Sequence, residues 1–577
     1  MATFGIRCHK NIFVILFIFL MAAFCAYNVI GSYGFAILPD EFGYWVYAAK
    51  LAGYDWSDIA SLGSYYSYGY SALLFPIFVL CKNGIWAYRF AIGLNFLMLM
   101  AIFFMLKSLA DKLFTDMTKD TLALLAIIAV IYPPLLIYSK TTMAESTLAF
   151  MYVVICALLY KYFENNRWQT LILLVAANIY IYFVHMRTVG VLISGMLVIA
   201  MYSFAKNKKH FWILVIVSAV LLLIGISIKT WIGGHIYAAA DKEVFGGNNY
   251  AGQIGKLEYI FTLEGFKNFI ISIAGKVLYL GAASFGMAYW GFAYVIRQIF
   301  RKESFGKADK KYYLYLFIGL STIAETLICS IATVRPWRVD GLVYGRYHEF
   351  LMPVLMLIGI YAAWTSRKII IVTLTIIASE LPMLFLIIYS LIKNNLTGFQ
   401  NCMMIGMSYA SGGNPFDPKT FYFRAYLLGA VLTLAAAAII ICARRNKNMS
   451  FLLATVILIE MALSVRANNV CISSSELGAF RDMRIAERIE AICQEKERRI
   501  IYINDGESVT ICILQFMMHD KDIIICQKED ELRPDDIVLL DYKNSYADEL
   551  EDDYEQTFTY GHFTLRYNTL QNKFGES

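Results

Sequence analysis

Over its first 466 of 577 residues the chain repeats one pattern, an apolar run followed by a short polar stretch. Roughly 20 apolar residues in a helix cross the ~30 Å hydrocarbon core of a bilayer, with every backbone polar group satisfied internally. Runs of that order are Asn11–Ala36, Ile85–Lys107, Thr121–Tyr138, Glu145–Tyr160, Trp168–Val184, Thr188–Phe204, Phe211–Trp231, Phe269–Arg297, Tyr312–Val334, Tyr347–Trp364, Ile369–Leu391, Phe421–Cys442 and Ser450–Val465. They predict an all-α polytopic membrane domain over residues 1–466 with about thirteen transmembrane helices. The first run is too long for a cleaved signal peptide and lacks a convincing cleavage site, so it is expected to remain as a span. No internal repeat is evident, unlike the matched halves of many transporters.

One further apolar stretch, Tyr70–Cys81, decides the topology. If it lies on the membrane surface or re-enters, Arg7 and Lys10 share one side with Lys107–Lys119, Lys206–Lys209, Arg297–Lys311 and Arg444–Lys447, as the positive-inside bias requires. If it spans, every later loop changes side and the bias fails repeatedly. Tyr70–Cys81 is therefore expected to be an amphipathic or re-entrant element, with the N-terminus in the cytoplasm and the C-terminal region outside the cell membrane.

After Arg466 the periodicity changes. Arg499–Ile503, Asp522–Cys526, Ile537–Asp541 and His562–Tyr567 read as strands and Glu507–His519 as a helix, which predicts a small extracytoplasmic α/β domain over residues 467–577. Asp505-Gly506 marks a strand-to-helix turn without the glycine fingerprint of a nucleotide loop, so a lid or docking role is expected. Composition agrees with the membrane assignment: 59% hydrophobic, 16% charged and a mean hydropathy of +0.57 exclude an ordinary soluble enzyme. The net charge of +6 hides a division, because the tail from Ala467 has 23 acidic and 12 basic residues and carries −11 against +17 for the rest. Such a tail does not attract nucleic acid. Eleven cysteines without a repeated spacing argue against a disulfide scaffold or a zinc finger.

The unusual polar residues fall in the predicted outer segments. Asp40-Glu41 follows the first span within Leu38-Pro-Asp-Glu-Phe-Gly-Tyr44, in a first outer loop over residues 38–84. Ionisable groups at such a depth are costly and point to function, although a carboxylate pair also suits a helix start. On a helix from Asp40, Tyr44 lies one turn away on the same face, so a carboxylate and a phenol can reach one sugar hydroxyl. The carboxylates can act as a general base or hold a divalent metal ion. Glu145 opens a span after Ser139-Lys140-Thr-Thr-Met-Ala, where it is either functional or a favourable helix start. His185-Met-Arg187 forms a tight outer turn whose cation suits a phosphate or a lipid headgroup. Arg335-Pro-Trp337-Arg338-Val-Asp340-Gly-Leu-Val-Tyr344-Gly345-Arg346-Tyr347 puts three arginines among aromatics. Guanidinium forks match phosphate oxygens, and Tyr344 and Tyr347 can wall a site that Gly345 opens to close approach.

Asp-Glu-x-x-Tyr after the first span, a Trp about ten residues later, the apolar stretch Tyr-Gly-Tyr-Ser-Ala-Leu-Leu-Phe-Pro76 and the count of spans before a soluble domain together resemble the GT-C superfamily of polyprenyl-phosphate-sugar glycosyltransferases. Protein O-mannosyltransferases and the aminoarabinose transferase of lipid A belong to it. The resemblance covers about Asn11 to Val465 and implies a GT-C-like fold and a sugar donor on a polyprenyl phosphate. It also implies transfer to a glycan, lipid or protein hydroxyl on the outer face. Asp40 matches the catalytic acidic position, with Glu41 and Tyr44 completing the motif. Where lipid A-modifying members carry Lys-Pro-Pro, this chain has Tyr70-Ser71-Ala72 and only later Pro76, so the resemblance implies neither lipid A as acceptor nor aminoarabinose as sugar. On this reading Asp40 is the base, and Glu41 orients it or helps to bind a metal. Arg187, Arg335, Arg338 and Arg346 stabilise the departing phosphate. A flippase of lipid-linked sugars would need the same cations without the base, and a membrane scaffold would need neither.

The charge pattern sets an expected membrane orientation. Single-cysteine labelling should find positions near Asp40, Arg338 and Asp505 accessible from outside, and positions near Lys208 and Arg445 from inside. An external Lys208 would break up the proposed assembly of outer segments.

Overall fold

The structure, a computed structural model, describes residues 12–63, 66–237, 250–301, 310–412, 416–446, 449–504, 509–526, 532–542, 544, 546, 550 and 553–569. Besides the short helices Ser57–Ala60 and Tyr250–Ile260, its helices in chain order are α1 (Ile12–Gly31), α2 (Asp40–Leu51), α3 (Gly69–Leu80), α4 (Gly84–Leu113), α5 (Lys119–Val130), α6 (Pro133–Ser139), α7 (Glu145–Asn165), α8 (Trp168–Val184), α9 (Val189–Lys206) and α10 (Lys208–Ile236). There follow α11 (Leu263–Ala283), α12 (Met287–Ile299), α13 (Lys310–Ala332), α14 (Met352–Thr365), α15 (Ile369–Asn394), α16 (Pro418–Asn446), α17 (Met449–Cys471), α18 (Ser473–Glu495) and α19 (Ile511–Met517). Among the described residues, 11 helices are long and apolar enough to cross a membrane, or 12 if the bent pair α5 and α6 is one span. Adding the apolar helix α8, 17 residues long, brings the number to that of the runs in the sequence.

Several expected elements differ. Thr121–Tyr138 is bent by 63° at Ile131–Tyr132, where Pro133 and Pro134 open α6 and cannot continue the ladder of α5. Phe269–Arg297 is broken into α11 and α12 by Phe285 and Gly286, both at positive φ (52° and 76°). The Tyr70–Cys81 stretch is the 12-residue helix α3, too short to cross the ~30 Å core, and it packs against α2 and α8. The expected outer loop at 335–346 is instead a set of tight turns, Val339–Leu342, Gly345–Tyr347 and Glu349–Leu351, with every residue from Val339 to Arg346 buried. Residues 238–249, 413–415 and the turn Asp505-Gly506 lie outside the described residues.

The two ends of the bundle differ in chemistry. At one end Glu164 pairs with Lys310 at 2.9 Å and Lys112 at 3.9 Å, and Arg444 donates to the carbonyls of Ser366 (2.8 Å) and Ala363. At the other end α2 lies beneath the C-terminal domain. That domain has a five-stranded sheet in the order β2-β1-β3-β5-β4, built from β1 (Ile500–Ile503), β2 (Ile523–Cys526), β3 (Ile537–Asp541), β4 (Gln556–Tyr560) and β5 (Phe563–Tyr567). β1 runs parallel to β2 and β3, while β5 is antiparallel to β3 and β4. The ring of Phe516 on α19 packs against Phe35 (4.5 Å) and Trp45 (4.9 Å), and Trp56 Nε1 donates to the His519 carbonyl at 3.2 Å. At Gly84 a Cβ would lie 2.8 Å from the Phe516 oxygen, so this close approach excludes a side chain.

Glu41 locks the start of α2. One carboxylate oxygen accepts from the backbone N–H groups of Ala36 (2.7 Å) and Ile37 (2.8 Å), the other from Thr142 N (2.6 Å), Thr142 Oγ1 (2.8 Å) and Tyr88 OH (3.0 Å). The residue is fully buried. Burial pushes its carboxyl above the usual range, opposed by the Thr142, Ile37 and Ala36 hydrogen bonds. Each buried donor left without its acceptor costs about 1–3 kcal/mol, so Glu41→Ala should lower the thermal unfolding midpoint of the detergent-solubilised protein markedly, with Glu41→Gln between it and wild type. An unchanged midpoint for Glu41→Ala would remove the locking role.

Candidate active site

Four charged side chains from four distant segments meet at the domain-covered end of the bundle. Asp40 and Glu145 are the first residues of α2 and α7, where the helix dipole favours a carboxylate. Arg187 and Arg346 sit in the one-turn helices Met186–Thr188 and Gly345–Tyr347. Arg346 Nε donates to Glu145 Oε1 at 2.6 Å while its Nη1 bonds Asp40 Oδ2. Arg187 Nη2 donates to the same Glu145 oxygen at 2.9 Å. The result is a chain of alternating sign, Arg187, Glu145, Arg346, Asp40. Asp40 is its most exposed member at 14%, against 5% or less for the other three.

The chain leaves polar valences open. Glu145 Oε2, Arg187 Nε, Arg187 Nη1 and Tyr44 OH are all buried without a hydrogen-bond partner. Buried polar groups are ordinarily paired, so this grouping marks a place for a polar ligand. Aromatic rings wall it. The Arg187 guanidinium lies over Tyr347 at 4.8 Å, Tyr344 packs edge-on against Tyr347 at 4.5 Å, and Tyr44 packs against Tyr66 at 4.7 Å. His185 Nδ1 accepts the Arg187 backbone N–H at 3.2 Å. Burial, then Arg187, Arg346 and Lys229, push its pKa well below the usual value, so the ring is neutral at pH 7 and contributes no cation.

The structure thus brings together Asp40, Tyr44, Glu145, His185, Arg187, Tyr344, Arg346 and Tyr347. It takes Arg335 elsewhere: that side chain is exposed and stacks on Tyr259 at 4.0 Å. Arg338 pairs with Asp340 at 2.9 Å beside Trp337. Gly345 serves packing rather than ligand approach, since a Cβ there would lie 1.9 Å from the Tyr279 ring. Glu41 points into its own hydrogen-bond cage and has no oxygen free for a metal. Among the described residues no three His, Cys, Asp or Glu side chains are grouped to hold one. Two neighbours carried no sequence signal. Tyr66 is hydrogen-bonded to Asp40, and Met403 places its sulfur 3.7 Å from Arg346 Nη1; Met403 lies in a segment without charge or motif.

No family model and no curated protein matches the chain in sequence. Solved structures match it in fold. ArnT from Cupriavidus metallidurans bound to undecaprenyl phosphate superimposes with a TM-score of 0.55 at 12% identity, over 97% of this chain and 99% of that one. The apo state of the same protein gives 0.50 at 14% identity, over 96% and 97%. At such identity the likeness is one of fold, and it extends over nearly the whole length of both chains, so this protein has a GT-C-like polytopic membrane fold followed by a small C-terminal α/β domain.

Proposed function

We propose that the protein is a membrane glycosyltransferase that moves a sugar from a polyprenyl-phosphate carrier to an acceptor hydroxyl at the end of the bundle covered by the C-terminal domain. The observation that carries this reading is the buried chain Arg187–Glu145–Arg346–Asp40 with its unfilled hydrogen-bonding positions. The fold shared with a protein bound to undecaprenyl phosphate supports the choice of carrier.

Arg187 offers two unpartnered nitrogens, Nε and Nη1, to the oxygens of the carrier phosphate, a match suited to a planar fork. Arg346 is already committed to both carboxylates. While it holds Asp40, a lone pair of that base is occupied; a phosphate that competes for Arg346 releases it, so donor binding and base activation are linked. The acceptor hydroxyl then gives its proton to Asp40 as its oxygen bonds to the sugar's anomeric carbon. The bond from that carbon to the phosphate oxygen breaks, and the electron pair leaves on the phosphate, where the arginines stabilise the developing charge. Tyr44 OH supplies a hydrogen bond to the sugar.

Purified protein given a labelled polyprenyl-phosphate sugar should turn over without a membrane gradient, and vectorial movement without bond cleavage would replace this reading by a flippase. Asp40→Asn keeps the volume and leaves Arg346 paired with Glu145, so the protein should fold with a modestly lowered unfolding midpoint while transfer falls by roughly 10² or more, the scale of general acid–base groups. Near-normal turnover would return Asp40 to a helix-start role.

The arginines are separated by their replacements. Arg346→Ala leaves the buried Glu145 and the half-buried Asp40 short of a partner, a loss of about 3–5 kcal/mol, and should unfold readily. Arg346→Lys retains a charge but cannot bridge Asp40 and Glu145, so it should fold and lose turnover. Arg187→Lys should weaken donor affinity about tenfold or more because the fork is gone. Unchanged donor affinity and turnover in well-folded Lys variants would remove the arginines from the site.

A further inference from the structure

A groove with a cavity of about 450 Å³ runs between α1 and α17, backed by the bend between α5 and α6. That volume lies within the roughly 300–1,000 Å³ typical of small-molecule sites. None of the four charged residues of the candidate active site lines it. Its lower walls are apolar. The α17 face that lines it includes Glu460, Ser464 and Asn468, one helical turn apart, so polar groups extend about 12 Å along an otherwise greasy cleft.

Two observations say what the groove accepts. Glu460 and Ser464 are 3% and 6% exposed, and Glu460 Oε2 and Ser464 Oγ have no hydrogen-bond partner. A carboxyl at membrane depth facing an apolar cleft is a functional group by default, and its open valence calls for a hydrogen-bond donor. The second observation is charge. Among the described residues, Lys140 is the one base lining the groove, and it is already paired with Glu476 at 3.1 Å and Asn468 Oδ1 at 2.5 Å. A phosphate would find no free cation there and would face Glu460. A hydroxyl-rich head group would instead satisfy Glu460, Ser464 and Asn469 while a hydrocarbon chain fills the apolar part.

The head of this groove adjoins the reaction site through one short segment. Lys140 lines the groove, Thr142 two residues on holds Glu41, and Glu145 belongs to the charged chain. We infer that the groove is the acceptor site and that the acceptor is a membrane lipid with a phosphate-free, hydroxyl-bearing head group, its chain lying between α1 and α17. The inference rests on the transferase reading for the reaction but not for the binding.

Native mass spectrometry of the full chain in detergent, with glucosyl diacylglycerol, phosphatidylglycerol and undecaprenyl phosphate as probes, tests it. Ser464→Trp and Leu20→Trp fill the groove from opposite walls, so a folding defect in one leaves the other informative. Either should weaken the glucosyl diacylglycerol adduct about tenfold or more and spare the undecaprenyl phosphate adduct. Wild type should prefer glucosyl diacylglycerol to phosphatidylglycerol, and in the transfer assay both variants should raise the KM for the lipid acceptor with kcat retained at saturation. Glycolipid binding that survives both tryptophans, equal binding of phosphatidylglycerol, or parallel loss of undecaprenyl phosphate would overturn the assignment. Asp40-dependent transfer only to a peptide or soluble glycan would also overturn it while the transferase reading stands. Groove binding as expected, with no transfer to any acceptor, would sink the transferase reading and the acceptor role together, leaving a lipid site.

Discussion

Arg346, bridging Asp40 and Glu145, is the interaction on which the arrangement of the segments at the domain-covered end of the bundle depends. A guanidinium and two carboxylates withdrawn from water are tolerated only if each charge meets its opposite in good geometry. That condition fixes the starts of α2 and α7 against the turn at residues 345–347, and Glu145 extends it to Arg187. Four segments separated by up to 306 positions in the chain are thereby held to one place. Apolar side chains of similar volume would hold the same segments at less cost in desolvation. The retained charges are the groups on which the proposed transfer draws, as cations and as a base.

The C-terminal domain belongs to this constraint. Asp40 is placed by α2, and α2 is held from below by the Glu41 cage and from above by Phe516 against Trp45 and Phe35. Phe42 stacks on Trp56 at 5.4 Å, and Trp56 in turn is bonded to the His519 carbonyl. Residues 38–63 and the C-terminal domain thus share one aromatic core, and a shift of α19 would move the helix that carries the candidate base. A separate hinged lid would have a polar seam instead, as interfaces between moving domains usually do.

The sequence exposed the parts of this design that follow from composition and periodicity. Spans were legible because a bilayer demands uninterrupted apolar length, and Asp40, Glu145, Arg187 and Arg346 stood out because charge is rare in such a chain. Breaks inside apolar runs were harder: Phe285 and Gly286 take positive φ in the middle of a continuous apolar run, so α11 and α12 read as one helix. The edge strand β4 is largely exposed and carries no buried-strand pattern. Among the arginines, charge density alone grouped Arg335 with Arg346, whereas Tyr259 draws the first outward and two carboxylates draw the second inward. Which cation meets which partner is a tertiary fact.

The segment from Tyr138 to Glu145 gives the site its two sides. Toward the arginines it presents Glu145, and toward the groove it presents Lys140, whose charge Glu476 already cancels. The proposed transferase, acting on two lipid-borne molecules, must keep an anionic carrier from occupying the place of its acceptor, and a difference in local charge does this more sharply than a difference in shape, because both proposed ligands are long hydrocarbon chains with small heads. Unpartnered guanidinium nitrogens on one side and a carboxyl with no cation beside it on the other supply that difference: a phosphate is drawn to Arg187 and finds no charge partner at Glu460, while a hydroxyl-bearing head gains a hydrogen bond there. The wall between the two proposed binding sites also anchors the candidate base through Thr142 and Glu41, so on this reading occupancy on either side bears on the position of Asp40.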